Sequence, residues 1–501
     1  MPHLLTVNWD KVDQPVSGLV TDDDHFVFVR RESIPLVFVP GIMGSRLRLK
    51  GTNGKGKTGN LPNLRWDPGA GGFMWWYYSG KDGAYRKSML VGPTFSSTFL
   101  EVDNANPVGD GFSGIMEDYC DKFLNDLKKR DWGPLGKIFE FPVYAFGYNW
   151  TDSNENSGRK LAARIKEIIS EAKQVTGLCE KVILITHSMG GLVARWASEW
   201  AGAQGNILGV IHGVQPATGA PAAYWRIKAG FEGNPIMSRV LGKNAYEVTP
   251  VLGNLPGGLQ LLPSQHHVTN AGSPSWLTIT QSGQTIRALP GSNPYNDIYR
   301  VKAVVKPAAG VKPSNNAYWG LVDPALLDPD NGNVGKSSAK AATGNNGLDA
   351  DADFVLRDPW GQYLRMLAIA EAFHRKLGKK KHPQTYNFWG VGHKTADVIE
   401  LRAEKTGWLT NNPYPDRGFR GFFTDGNGKS MMAVLQEPAG AGDGTVPVSS
   451  ASALKGSGKS VPEEAGLKVE HQPAYENKAA QDFTVKAIIA LCKKRYESLR
   501  K

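Results

Sequence analysis

The chain alternates short, unbroken apolar runs with longer stretches of helical period. Five runs end at glycine or turn residues: Pro35–Val39 (PLVFV), Phe141–Phe146 (FPVYAF), Val182–Thr186 (VILIT), Leu208–Ile211 (LGVI) and Tyr386–Val391 (YNFWGV). Continuous apolarity, without a polar residue at every second position, marks strands buried on both faces, as in a parallel sheet. Between the runs, Lys160–Ala172 (KLAARIKEIISEA) sets Leu161, Ile165, Ile168 and Ile169 on one helical face. Gly191–Trp200 (GLVARWASEW) and Asp482–Lys494 (DFTVKAIIALCKK) have the same period. Strands alternating with helices predict an α/β fold, a mostly parallel sheet flanked by helices.

Two regions interrupt the alternation. Residues 51–100 are Gly-rich and then aromatic (RWDPGAGGFMWWYYSG), which predicts an aromatic lid insertion. Residues 216–384 hold no clear strand–helix–strand unit and include the low-complexity stretch NGNVGKSSAKAATGNNG. A structureless loop of that length is improbable in a compact domain, so a cap domain is expected there. The expected organisation is a sheet core over 1–215 that includes the lid, a cap over 216–384, and a resumed core over 385–501.

The chemistry concentrates where a strand runs into a helix. VILITHSMGG carries Ser188 between an apolar strand and a helical pattern, the setting of a nucleophile elbow, whose sharp turn lifts a serine hydroxyl above the sheet. Gly190 and Gly191 leave room on the helix side, while Thr186 stands where the common G-x-S-x-G spelling has glycine. A β-branched residue there requires a slight opening of the turn. A serine at the start of a helix is also an ordinary N-cap, so Ser188 needs a base and an acid in the chain order this fold requires, Ser, then Asp or Glu, then His.

Asp443, in GDGTVP, and His471, in KVEHQPAY between a short strand-like run and the last helical pattern, satisfy that order. Each has an ordinary alternative as a D-G turn or a solvated loop histidine. Asp425-Gly426 is a rival acid that looks like a hairpin tip. His393 is a rival base that precedes Asp443, and His187 is expected to point away from the site. His266 and His267 fall in the cap. Two backbone N–H donors are needed for the tetrahedral intermediate. Met189 follows the nucleophile, and Ile42 lies in the Gly-flanked exit of the first strand, PGIMGS.

Composition changes this picture little. At 501 residues, 41% apolar and 10% aromatic, the chain is globular. Its formal charge of +11 suits an anionic surface or plain solubility. No stripe interleaves arginine with aromatics, so nucleic acid is not an expected partner. Cys120, Cys179 and Cys492 supply neither a disulfide framework nor zinc spacing, and no cofactor or metal is expected. Asp349, Asp351 and Asp353 (NGLDADAD) lack the glycine and glutamate of a calcium loop. GTNGKGKT at 51–58 matches the phosphate-cradling G-x-x-x-x-G-K-[ST], yet helix breakers follow it where a helix is needed. The first residues have no charged segment followed by an apolar one, and no stretch nears the ~18 apolar residues of a membrane span. Synthesis in a reducing cytoplasm is expected, with any export independent of a signal peptide, and the sequon at Asn149 is then fortuitous.

Taken together, PLVFVPGIMGSRL, the YNW at 148–150, THSMGGLVAR, FWGVG at 388–392, GDGTVP and the histidine before the last helix resemble the lecithin:cholesterol acyltransferase family and GPI inositol-deacylase-like lipases. The resemblance implies an α/β-hydrolase with Ser188 as nucleophile, Asp443 as acid, His471 as base, and Ile42 and Met189 as oxyanion donors. It implies a lipid acyl ester as substrate. The aromatic segment with Trp66, Trp75 and Trp76 itself suits a lid beside an acyl site in an enzyme that works at a lipid or membrane surface. The absence of cysteine before residue 120 sets the chain apart from secreted members with a lid disulfide, and it looks more like a bacterial relative. It also resembles antibacterial lipase effectors of type VI secretion, which implies an immunity protein as partner. Acyl transfer, an inactive binding protein on the same fold, and an NTPase are the alternatives.

Overall fold

The computed structural model describes residues 31–69, 71–92, 99–104, 112, 114–115, 120–232, 235–303, 317–329, 358–405, 421–425, 427–454 and 464–499. The low-complexity stretch and the acidic NGLDADAD segment lie outside them. The elements used below are, in chain order, β1 (Leu36–Val39), α1 (Gly71–Tyr78), α2 (Gly83–Leu90), β2 (Val143–Ala145), α3 (Asn154–Thr176), β3 (Val182–His187), α4 (Gly190–Glu199) and β4 (Ile207–Gly213). They continue with α5 (Pro235–Leu241), α6 (Ala245–Leu252), β5 (Leu277–Gln281), β6 (Gln284–Leu289), α7 (Pro359–Leu377), β7 (Thr385–Gly390), β8 (Ile399–Lys405), β9 (Gly421–Thr424), β10 (Ser430–Leu435), β11 (Glu464–Leu467) and α8 (Lys478–Leu499).

The main sheet has six strands in the order β11-β7-β4-β3-β1-β2, and every pairing in it is parallel. Its unbroken apolar runs have a direct cause. In β1, Val37 and Val39 join one core with Leu161, Ile165 and Leu192 of α3 and α4, whereas Leu36 and Phe38 join another with Ile488 and Leu491 of α8. In β3, Val182 and Leu184 go to the first core and Ile183 and Ile185 to the second. Helices cover both faces, so neither set of alternate positions can be polar.

Helix α3 starts where Ser153 accepts the Asn156 N–H and stops at Gly177, whose φ of 80° ends the helix in the left-handed region. The Ser188 turn takes its amide to the sheet, Ser188 N–H donating to the Gly213 carbonyl at 3.0 Å.

A second sheet of five strands runs β6-β5-β8-β10-β9, with β5 and β8 parallel and the other pairs antiparallel. It takes strands from both sides of residue 384, so the expected boundary between cap and resumed core passes through one sheet. Leu277, Ile279, Leu401 and Met431 of this sheet share a continuous core with α3 and α4. The cap region is therefore packed onto the parallel sheet rather than standing as a separate body. Helix α7 is part of the seam, with Phe373 stacked on Trp196 of α4 at 5.2 Å between centroids.

The GTNGKGKT segment forms no phosphate cradle. Lys57–Thr58 pairs with Leu61–Pro62 in a small antiparallel ribbon, and the next element is the strand Leu64–Trp66 rather than a helix. Asn149 of the sequon is buried, and its amide donates to the Leu100 carbonyl at 3.0 Å.

Candidate active site

Strand β3 ends at His187, and α4 begins at Gly190, so Ser188 is held in the two-residue connection between them. Its φ of +52° lies in the left-handed region that non-glycine residues rarely occupy. That conformation costs of order 1–3 kcal/mol and persists because the packed strand and helix enforce it. The tightness is measurable at Gly190, where an added Cβ would lie 2.3 Å from the Val39 carbonyl oxygen and 2.4 Å from that of Pro40.

Thr186, at the usual glycine position, is accommodated sideways. It is fully buried, in register with His212 of β4, and its Oγ1 is hydrogen-bonded to His212 Nδ1 at 2.9 Å. Burial holds the His212 imidazole neutral, its pKa pushed well down. The extra side chain is absorbed between neighbouring strands.

Ser188 Oγ lies 2.9 Å from His471 Nε2, and His471 Nδ1 lies 2.8 Å from Asp443 Oδ2. Because the carboxylate only accepts, Nδ1 carries the imidazole proton and Nε2 is left to accept the Ser188 hydroxyl proton. His471 sits on the connection between β11 and α8, four residues after the strand ends at Leu467. Asp443 is buried, and its second oxygen accepts the Thr445 and Val446 N–H groups at 2.9 and 2.7 Å. The turn is tied down further by Gly444 N–H donating to Thr395 Oγ1 at 2.8 Å and by Arg226, which reaches Thr445 Oγ1 at 3.1 Å while paired with Glu232.

The exit of β1 lies against the serine. A Cβ on Gly41 would stand 3.0 Å from Ser188 Cβ, and Met43 has a φ of +65°. Among the described residues, neither the Ile42 nor the Met189 N–H donates to a backbone carbonyl. Met189 follows Ser188 directly, and Ile42 follows Gly41 at the β1 exit.

Two residues behave differently from the sequence expectation. His187 turns back to the site, its Nε2 lying 2.7 Å from the His471 carbonyl oxygen, with its pKa lowered to about 4, chiefly by burial. Trp66 is 3% exposed and belongs to the core, edge-on to Tyr78 and Trp150, with Nε1–H donating to the Met43 carbonyl at 2.8 Å. It supports the β1 exit from below and presents no lid surface. Trp75 and Trp76 of α1 are 44% and 76% exposed.

The α1–α2 segment is fastened down: Arg86 of α2 is buried and donates to the carbonyls of Val240, Arg239 and Tyr78 at 2.6, 2.9 and 2.7 Å. His393 instead sits in a short ribbon opposite Gly442, His267 is bonded to Thr218, and Asp425 caps the turn between β9 and β10 through Asn427 and Lys429. Tyr475, which no motif flagged, donates to the Thr186 carbonyl at 2.9 Å and braces the elbow from behind.

The lecithin:cholesterol acyltransferase family model matches residues 139–285. A structure described as the Tle4–Tli4 complex superposes with a TM-score of 0.68 at 23% identity, over 92% of this chain and 99% of that one. The Bacillus licheniformis lipase BlEst2 in mature form gives 15% identity and a TM-score of 0.20, over 46% of this chain and 58% of its own. Phospholipase PlaB from Legionella pneumophila gives 13% and 0.18, over 81% of each chain. Of these three, the first has a score that establishes a shared fold. Comparison with curated proteins gives no match. The chain has the α/β-hydrolase fold, and its residues 139–285 match the lecithin:cholesterol acyltransferase family model.

Proposed function

We propose that this protein is a serine esterase that cleaves acyl ester bonds of lipids, in the manner of a phospholipase. The observation that carries the proposal is the hydrogen-bonded line from Ser188 through His471 to Asp443, at 2.9 and 2.8 Å, on a serine held at positive φ. His471 takes the Ser188 proton as Oγ attacks the ester carbonyl, and Asp443 stabilises the imidazolium. The oxyanion lies between the Ile42 and Met189 amides, worth of order 3 kcal/mol per donor. His471 then returns the proton to the leaving alcohol, and water resolves the acyl-enzyme by the same route. Lipid as the substrate class is supported by the family match.

A fluorophosphonate is expected to label the wild type and not Ser188→Ala, and wild type alone should release fatty acid from a phospholipid and triglyceride panel. Equal labelling of both proteins would overturn the assignment. Release of acyl products on a sterol or other alcohol in place of free fatty acid would favour acyl transfer.

The biological setting belongs to the same proposal: a bacterial lipase effector restrained by an immunity protein. Its support is the similarity, over nearly the whole chain, to a protein solved in a two-protein complex. Expression in the periplasm should be toxic through Ser188, and harmless expression of an active enzyme would remove this part.

A further inference from the structure

We propose that His187 is a positioning residue that pins the backbone of His471 and the exit of β1 to the nucleophile. The proposal rests on the Ser188–His471–Asp443 reading and concerns how that line is held. His471 lies on a connection, and a connection is the least rigid place to carry a base. Both backbone polar groups of this residue are nevertheless taken. Its N–H donates to the Asp443 carbonyl at 2.9 Å, and its carbonyl lies 2.7 Å from His187 Nε2. A carbonyl oxygen only accepts, so Nε2 carries the proton and Nδ1 is bare. That bare edge faces Gly41, where a Cβ would stand 2.9 Å from Nδ1 and 3.0 Å from Ser188 Cβ. One neutral imidazole therefore touches the base loop and the strand exit that carries Ile42, from a position covalently next to Ser188.

The chemical consequence follows from geometry. His471 Nε2 must receive a proton from Ser188 and deliver it to a leaving oxygen a short distance away, and a shift of about 1 Å in such a group costs about a hundredfold in rate. The clamp holds the main chain of the base itself, through its N–H on Asp443 and its carbonyl on His187. Loss of the His187 donor should therefore lower kcat and leave KM unchanged.

The test compares His187→Phe, which keeps a ring and loses the donor, with His187→Gln, which restores an N–H at similar reach. Soluble ester turnover, counted per phosphonate-titrated site, and the phosphonate labelling rate are measured for each. His187→Phe should lower kcat and the labelling rate tenfold to a hundredfold, on the order expected for an orphaned buried carbonyl, with KM within about threefold. His187→Gln should recover most of that loss. If His187→Phe does not fold, His187→Met serves as the donor-free partner of the Gln variant. Full turnover in the donor-free variant, or equal loss in both variants, overturns the inference and leaves the esterase reading intact. A wild type with no Ser188-dependent turnover overturns the esterase reading itself.

Discussion

The parallel sheet and the five-stranded sheet beside it solve the same problem under different constraints. Strands of the first are covered on both faces, so every position of β1 is buried and the chain there is uniformly apolar. In the second, β6 leaves five of its six residues exposed, with only Leu289 buried. The two sheets also turn differently. The elbow after β3 forces a serine to a φ of +52° inside a buried connection, while β5 and β6 are joined by Ser282 and Gly283 at φ 52° and 79° in an open two-residue hairpin. The same backbone region is a strained, closely packed turn in one sheet and an open, ordinary turn in the other. What separates them is packing, since the elbow has backbone oxygens within 2.4 Å of where a side chain would go and the hairpin glycine has nothing within 4 Å.

That contrast can be broken experimentally. The largest effect is expected at Asp443→Asn, which should lower kcat by up to about 10⁴ by presenting the wrong hydrogen-bonding partner to His471. Folding should be nearly unchanged, as judged by its thermal midpoint. Retained activity would mean that Asp443 does not orient the base. Next comes a pair of identical substitutions. Gly190→Ala should destabilise by about 3 kcal/mol through collision with the β1 backbone, whereas Gly283→Ala should cost about 1 kcal/mol, the left-handed penalty alone. Urea denaturation of both variants measures the difference, and equal losses would erase the distinction drawn between the sheets.

Acid should act on the buried core at intermediate strength. His187 is half-buried and His374 buried, each with its pKa lowered to about 4, chiefly by desolvation. Between pH 6.5 and 4 the unfolded chain binds protons that the native one excludes, so stability is full above pH 6.5 and falls as pH drops toward 4. Each group removes about 2 kcal/mol at pH 5. His374→Gln should flatten the pH dependence of the urea midpoint, and an unchanged slope would show that His374 is not excluded from protonation. The smallest effect is at Thr186→Val, which keeps the branched shape and removes the bond to His212. It should cost about 1 kcal/mol with little change in kcat; a large loss of turnover would give Thr186 a role beyond filling its site.

The strands of the parallel sheet were legible because each is a local run whose composition follows from double coverage, and the elbow was legible because strand, serine and two glycines are contiguous. The glycine-rich 51–58 match was discounted on local grounds also, by the breakers after it. Trp66 was misleading because the aromatic segment groups it with Trp75 and Trp76, which are exposed, while its neighbours in space are Tyr78 and Trp150. His187 was missed because a side chain at a turn has no periodicity to predict its direction, and its acceptor is 284 residues away.

The sequence by itself determined the alternation of buried strands and helices, the place of Ser188 at the end of one strand, and the order in which Asp443 and His471 follow it. These depend on short-range pattern and on chain order. Tertiary structure alone decided that Thr186 fits by bonding to the neighbouring strand, that the five-stranded sheet joins segments from both sides of residue 384, and that His187 reaches His471. Each of these is a contact between residues far apart in the chain, fixed by register and packing that no local window of sequence contains.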